Sequence, residues 1–388
     1  MIRVAVVCPW FYKGDAVGAA ARDTYVALKD DPSIEVVALG THTGFADVPI
    51  RHVGTASELL ASQEFLSADV IIYHFAIYHD LFNAIFLGNG HAKQVLRFHN
   101  VTPRRFMPRH TWETIDRSFL QLRALSCVDE AWADSRENAM ELIAQGFLPE
   151  GIRVEPLAVD RPDWTRLSDK GADSIEAVFV GRFFSSKGVH DLVAAVADIR
   201  QKLDVPFRVR LVGNPDFSDP AYVAGIRLQI IQEGLAEAVE LTGGVNAKTL
   251  ELLYGRAHIL ATASYHEGFC VPVIEGLRAG CIPVTTDAGN LRFISGGIGR
   301  TVATGDPVAY GSALLEVVAS IPRALSRPED PLLKLDCGAI SLREFEMRSQ
   351  QHAETFSFAN LRKSIKQRIH ALAEDSAYLS TSIELIAS

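Results

Sequence analysis

Ser264-Tyr265-His266-Glu267-Gly268-Phe269-Cys270-Val271-Pro272-Val273-Ile274-Glu275-Gly276-Leu277-Arg278-Ala279-Gly280-Cys281-Ile282-Pro283-Val284-Thr285-Thr286 is the stretch on which the fold turns. It predicts a Gly-bearing loop, a helix beginning near Val271 and a short buried strand from Cys281 to Thr285. Pro272 suits a first helical turn, where the missing N–H costs nothing. Ala279-Gly280 ends the helix with a residue that tolerates a left-handed cap. Glu267 stands just before the helix start and Glu275 about two turns inside it. The loop offers free backbone N–H groups at the positive end of the helix, a receptacle for an anion such as a diphosphate. The Glu-x7-Glu spacing alone is also met by one capping acid and one solvated acid, so the rest of the chain has to decide.

The chain has 388 residues, enough for two domains of ordinary size with separate cores. Apolar residues make up 48% and charged residues 22%, a soluble globular balance. A formal net charge of −9 argues against nucleic acid as a partner. Cys8, Cys127, Cys270, Cys281 and Cys337 are scattered, odd in number and without metal-ligand spacing, as in a reduced cytoplasmic protein. No metal is expected. Met1 to Val7 lacks a basic leader and a cleavage site and reads as a first strand. No run approaches the roughly 20 apolar residues of a membrane span, so any membrane contact is expected to be peripheral.

Outward from the central stretch, strand and helix patterns alternate along the whole chain. Ile2–Val7 is a continuous apolar run of the central-strand kind. Phe11 to Gly18 forms a loop before a helix expected from about Ala19 to Lys29. Strands follow at 34–39, 69–73, 94–98, 130–133 and 152–157, with helices at 56–66 and 136–144. Residues 159–172 break the pattern with charge, Pro and Gly and read as a linker. Alternation restarts at 176–180 and runs to a helix at 308–319. A Pro-rich break at 322–331 precedes two helical segments at 340–356 and 358–372. Alternation of this kind means βαβ units and parallel sheets. Two domains are therefore expected: 1–158, completed by a terminal helix at about 357–388, and 173–356.

Ligand-binding loops of such sheets lie beyond the carboxyl ends of the strands. That rule selects Gly14, His74 and His99 in the first half. A histidine at a strand end is also met as a satisfied structural residue. His74 is a candidate for facing an acceptor. Asp134-Ser135 reads as an N-cap for the next helix. Arg104, Arg105 and Arg109 form a basic loop, either solvated or facing a phosphate-bearing acceptor or an anionic membrane surface. In the second half, Arg182 and Lys187 leave the 176–180 strand in a loop that opens the next helix. They are either solvated or placed to neutralise a diphosphate.

Ser-x2-Glu-Gly-Phe, x-x-Pro-x-x-Glu-Gly and Ala-Gly-x2-Pro-Val over 264–284, Gly181-Arg182-x4-Lys187-Gly188, and His99-Asn100-x-Thr102-Pro103 together resemble family 4 (group 1) retaining glycosyltransferases. The resemblance implies an α/β fold of GT-B architecture, two Rossmann-like doubly wound domains facing across a cleft. It implies transfer from a nucleoside-diphosphate sugar of UDP or GDP type to a glycan, lipid-linked or small-molecule acceptor. Glu275 would hold the ribose hydroxyls and Glu267 those of the sugar, with Gly268, Phe269, Cys270 and Val271 forming the helix head at the diphosphate. Arg182 and Lys187 would stabilise the leaving diphosphate, His99 would orient the sugar, and the backbone near Val245 would meet the base. The chain departs from the pattern in two places. Only Gly14 stands where the family carries a Gly-Gly pair, and Leu157-Ala158-Val159-Asp160 replaces the usual Asn-Gly-Val-Asp. A GT-B nucleotide-sugar epimerase and a non-catalytic sugar-nucleotide binder are the alternatives. A dinucleotide oxidoreductase is disfavoured because the Gly-x-Gly-x-x-Gly fingerprint is absent.

Overall fold

In a computed structural model, the backbone is described for residues 1–387 and the side chains for residues 1–375. The chain forms two units: Met1–Arg104, Arg109–Ala158 and Ser357–Ser388 make the first, and Arg105–Pro108 with Val159–Phe356 the second. Ser388 itself lies outside the described residues.

The first unit is built on a seven-stranded sheet. Its order is Ile50–His52, Ile34–Gly40, Ile2–Val7, Val70–Phe75, Lys93–Phe98, Glu130–Ala133 and Ile152–Val154, every pair parallel. All six residues of Val70–Phe75 are buried, as expected of a strand covered on both faces. The terminal helix, Phe358–Ala387, closes one face. Its Leu361, Ile365, Ile369 and Leu372, at helical spacing, share a core cluster with Val4, Ile72, Val95 and Trp132. Lys366 pairs with Asp31 at 3.0 Å and Arg368 with Glu130, so ionic contacts fix the register that the apolar stripe sets.

Several local expectations are corrected in this unit. The first helix begins at Ala16, three residues early, because Asp15 already has the extended backbone of a cap. The expected 56–66 helix is two, Ala56–Ala61 and Gln63–Leu66, since the Ser62 hydroxyl accepts from Phe65 N and starts a new helix. A helix over Trp112–Ala124 occupies what reads as loop.

The second unit carries a six-stranded parallel sheet ordered Val239–Gly243, Phe207–Val212, Ile175–Val180, Ile259–Thr262, Ile282–Thr286 and Arg300–Val302. In chain order that is 3-2-1-4-5-6, the doubly wound topology. Its direction reverses between Ile175–Val180 and Ile259–Thr262, and the loops leaving those two strands are where ligands bind in such sheets.

Residues 159–172 are not a free linker. Thr165 N donates to Arg278 O at 3.0 Å, Leu167 is fully buried, and Lys170 reaches into the interior of this unit. Pro322 does not break its helix, which runs from Pro307 to Ser326 with Pro322 inside. Among the described residues this is the helix with the length and apolar composition of a membrane span, although the sequence reads as having none. One face is buried through Tyr310, Leu314, Val317, Val318 and Ile321, and the Tyr310 hydroxyl donates to Val284 O at 2.8 Å, so it serves as a core helix. A small hairpin, Leu333–Leu335 with Gly338–Ile340, comes just after the 322–331 stretch and before the next helix.

Candidate functional site

The two loops at the reversal point of the second sheet are joined to each other. Gly188 has φ +59°, and a Cβ there would lie 1.8 Å from Ala263 O, so the first loop passes directly against the second and only glycine fits. Tyr265 N donates to Ser186 O at 2.7 Å. Across this seam the Lys187 ammonium lies 2.8 Å from Glu267 Oε1. Ser264 Oγ donates to the same oxygen at 2.9 Å, and Thr262 Oγ1 lies 3.0 Å from Ser264 Oγ. Glu267 is buried at 7% exposure, so its charge is held by these donors and not by solvent.

Downstream residues fix the Glu267 loop from behind. Asn290 N donates to Glu267 O at 3.0 Å, and Asn290 Nδ2 to Phe269 O at 2.9 Å. Cys270 caps the helix Val271–Arg278 in a left-handed conformation (φ 74°, ψ 67°), a strained state for a residue with a side chain. The turn directs the chain so that Gly268, Phe269, Cys270 and Val271 form the helix head beside Glu267. Burial pushes the Cys270 thiol well above its ordinary pKa, which keeps it neutral beside Glu267. Burial also pulls the His266 imidazole down to about 4.

Glu275 lies one to two turns into the same helix. Burial pushes its carboxyl up to about 7, while a 2.7 Å hydrogen bond from the Tyr254 hydroxyl favours the ionised form. Arg182 is exposed and lies over the Phe184 ring, 5.5 Å from its centroid. Val245 is half-buried between the strand Val239–Gly243 and the helix Ala247–Arg256. Lys187, Glu267, the helix head and Glu275 thus form one continuous constellation, and Arg182 stands in the same loop as Lys187. Its chemistry is that of a cation and a helix N-terminus able to receive a diphosphate, flanked by two carboxylates able to accept from hydroxyls.

In the first unit, His74 Nδ1 lies 2.8 Å from His99 Nε2, and His99 Nδ1 lies 2.7 Å from Asp134 Oδ2. Because the carboxylate only accepts, His99 Nδ1–H is the donor to Asp134, and Nε2 of that tautomer accepts the hydrogen bond of His74 Nδ1–H. Arg97, fully buried, stands 3.5 Å from the other Asp134 oxygen. Burial, then His99 and Arg97, holds the His74 imidazole well below its ordinary pKa. Both ring nitrogens of His99 are therefore engaged by protein groups. The reading of Asp134-Ser135 as a cap holds for Ser135, which accepts from Asn138 N at 3.1 Å, whereas Asp134 turns to His99. Gly14 is an exposed turn at φ +96°. The close approach falls on Gly18, where a Cβ would lie 2.2 Å from Tyr12 N. In the basic loop, Arg104 pairs with Asp116 at 2.7 Å, and Arg104 and Arg109 both lie over Trp112.

Sequence reasoning missed Tyr254, Ser264, Asn290, Arg97 and the buried Lys170. Tyr254 and Arg97 sit inside ordinary helix and strand patterns, and nothing in spacing marks them. Ser264 opens the signature and Asn290 follows it, and both could have been found as the polar residues bracketing a buried acid.

Residues 160–320 match the family described as glycosyl transferases group 1. Over those residues the second unit is similar to group 1 glycosyl transferases. The match spans both loops of the constellation and the Glu275 helix. Among curated proteins, an MMP alpha-(1->4)-mannosyltransferase of Mycolicibacterium hassiacum is 25% identical over 54% of this chain and 50% of its own length. A GDP-mannose:cellobiosyl-diphosphopolyprenol alpha-mannosyltransferase of Xanthomonas oryzae is 27% identical over 39% of this chain and 38% of its own. The chain thus spans half or less of these relatives. Anabaena HepE, solved with UDP-glucose, has a TM-score of 0.68 at 15% identity, covering 96% of this chain and 100% of HepE. Sucrose-phosphate synthase of Thermosynechococcus elongatus has a TM-score of 0.68 at 16% identity, covering 96% and 99%. Both units together therefore have the GT-B fold, the α/β class expected from the sequence.

Proposed function

We propose that the protein is a retaining glycosyltransferase that moves a sugar from a UDP- or GDP-linked donor to a glycan, lipid-linked or small-molecule acceptor. The observation that carries this reading is the Lys187–Glu267 pair at the head of the Val271–Arg278 helix. The diphosphate would take the helix head, with Lys187 and Arg182 stabilising the negative charge that develops as the glycosidic bond to phosphate breaks. Glu267 would accept from the hydroxyls of the sugar and Glu275 from those of the ribose. His99 is read as orienting the sugar through the ring face and backbone, since its nitrogens are engaged. His74 is assigned to the acceptor side, Gly14 to the donor phosphates and the Val245 backbone to the base. The cations take the part that a metal plays in other transferases, and the reaction is read as cytoplasmic with peripheral membrane contact only.

The relatives support both donor bases, since one acts on GDP-mannose by name and HepE was solved with UDP-glucose. The test is a thermal-shift panel of UDP, GDP, ADP and their sugar conjugates on wild type and Glu275→Ala. A ligand at about 100 times its Kd stabilises the fold by roughly 2.7 kcal/mol. Stabilisation by one nucleotide, abolished in the variant, supports the reading, and no response to any of them refutes it. Consumption of the donor sugar with an acceptor, and not without one, separates transfer from epimerisation.

A further inference from the structure

A carboxylate that binds a ligand needs its orientation set before the ligand arrives. For Glu275 that orientation comes from the neighbouring helix Ala247–Arg256, whose Tyr254 donates its hydroxyl to Oε2 at 2.7 Å. Tyr254 is buried, at 1% exposure. Burial foremost, then the charge of Glu275, pushes its phenol well above the ordinary range, so it stays a donor at every working pH.

The backbone of Tyr254 is fixed too. Its carbonyl accepts from Lys170 Nζ at 3.5 Å and from Cys281 Sγ at 3.6 Å. Lys170 Nζ also reaches Ala257 O and Ala279 O. Those carbonyls end the Ala247–Arg256 and Val271–Arg278 helices, so one buried ammonium sits at the negative ends of both. The two helices that carry Tyr254 and Glu275 are thereby joined at one point.

We propose that Tyr254 is a positioning residue for the nucleotide: its hydroxyl holds Oε2 of Glu275, turns the carboxylate and reserves Oε1 for the hydroxyls of a ribose. This rests on the donor-site reading above. The titratable groups packed around the pair are Cys270 at the helix head and Lys170 with Cys281 at the helix ends. Burial raises both thiols and so keeps them neutral, and burial lowers the Lys170 ammonium. Tyr254 is the group among them that hydrogen-bonds the Glu275 carboxylate and favours its ionised form against burial.

The test uses the full chain with 13C-labelled glutamate, Glu275 being assigned by the signal lost in Glu275→Gln. In Tyr254→Phe the Glu275 midpoint should rise by about one pH unit. The pH profile of affinity for UDP or GDP, whichever stabilises the wild type, should rise by the same increment and recover at pH 9. Coincident curves for wild type and Tyr254→Phe overturn the proposal. Should that variant fail to fold, wild-type chain carrying 3-fluorotyrosine, a more acidic donor, should move the midpoint down, and an unmoved midpoint overturns the proposal equally. Nucleotide binding to the wild type decides the donor-site reading separately from the NMR midpoint.

Discussion

At the scale of the residue, Glu275 is in conflict with its surroundings. An unfolded glutamate ionises near 4.5 and the folded one at about 7, so between those values the unfolded state releases its proton first. Stability is therefore lost as pH rises through that window, with a ceiling of about 3 kcal/mol. A ligand hydroxyl donating to the ionised carboxylate offsets this cost. Glu275→Gln should raise the unfolding free energy of the free protein by about 1–3 kcal/mol at pH 8. It should have little effect at pH 4.5, and it should remove nucleotide-induced stabilisation. Urea denaturation at both pH values checks it. A destabilised variant at pH 8 would mean that the carboxylate is satisfied within the protein. Glu267 differs because Lys187 and Ser264 already supply donors to it. The sequence shows two glutamates eight residues apart. The opposite environments come from groups such as Tyr254 and Lys187, which lie 21 and 80 residues away along the chain.

At the scale of the element, the terminal helix is a structural part of the first unit. Ile365 and Ile369 are fully buried against strands whose residues lie more than 200 positions earlier. Ile369→Ala should lower stability by about 2–5 kcal/mol, the range for truncating a buried aliphatic side chain. Denaturant unfolding followed by the fluorescence of Trp132, in the same cluster, would measure it. A loss under about 1 kcal/mol would mean that the helix is loosely held. The apolar spacing of this helix is legible in the sequence. The face it covers is not, because periodicity identifies a stripe and never its partner. The helix Trp112–Ala124 is a different case: its buried Ile115, Ser118 and Leu122 stand at helical spacing with Glu113, Asp116, Arg117 and Arg123 at positions between, so its amphipathic pattern is legible in the sequence. At Pro322 a local breaker was overridden by tertiary burial of the surrounding helix.

At the scale of the molecule, each unit holds two imidazoles below their ordinary pKa by burial, His74 and His79 in the first and His258 and His266 in the second. Their folded pKa values lie below the unfolded value, so unfolding takes up protons as pH falls below about 6.5, and stability is lost in that direction. Near pH 5.5 these histidines together take up more protons on unfolding than the one that Glu275 releases, so the net effect of acidification is a loss of stability. Unfolding free energies at pH 5 and pH 6 test this, and a flat or inverted dependence would show that one imidazole is charged in the folded state.

The sequence by itself determined the architecture and the residue types of the candidate site. Alternating apolar runs leave few options other than parallel sheets, and Gly188, Pro272 and Gly280 mark turns and helix ends by local sterics alone. It also brought Arg182, Lys187, Glu267 and Glu275 into view, since a signature of that length carries their order. The tertiary structure decided how those groups are charged and aimed. Lys187 neutralises Glu267, Tyr254 orients Glu275, Asp134 turns from a cap to hold His99, and Lys170 leaves a supposed linker to join two helix ends. Each of these depends on desolvation and on partners distant along the chain, and both arise only when the chain packs.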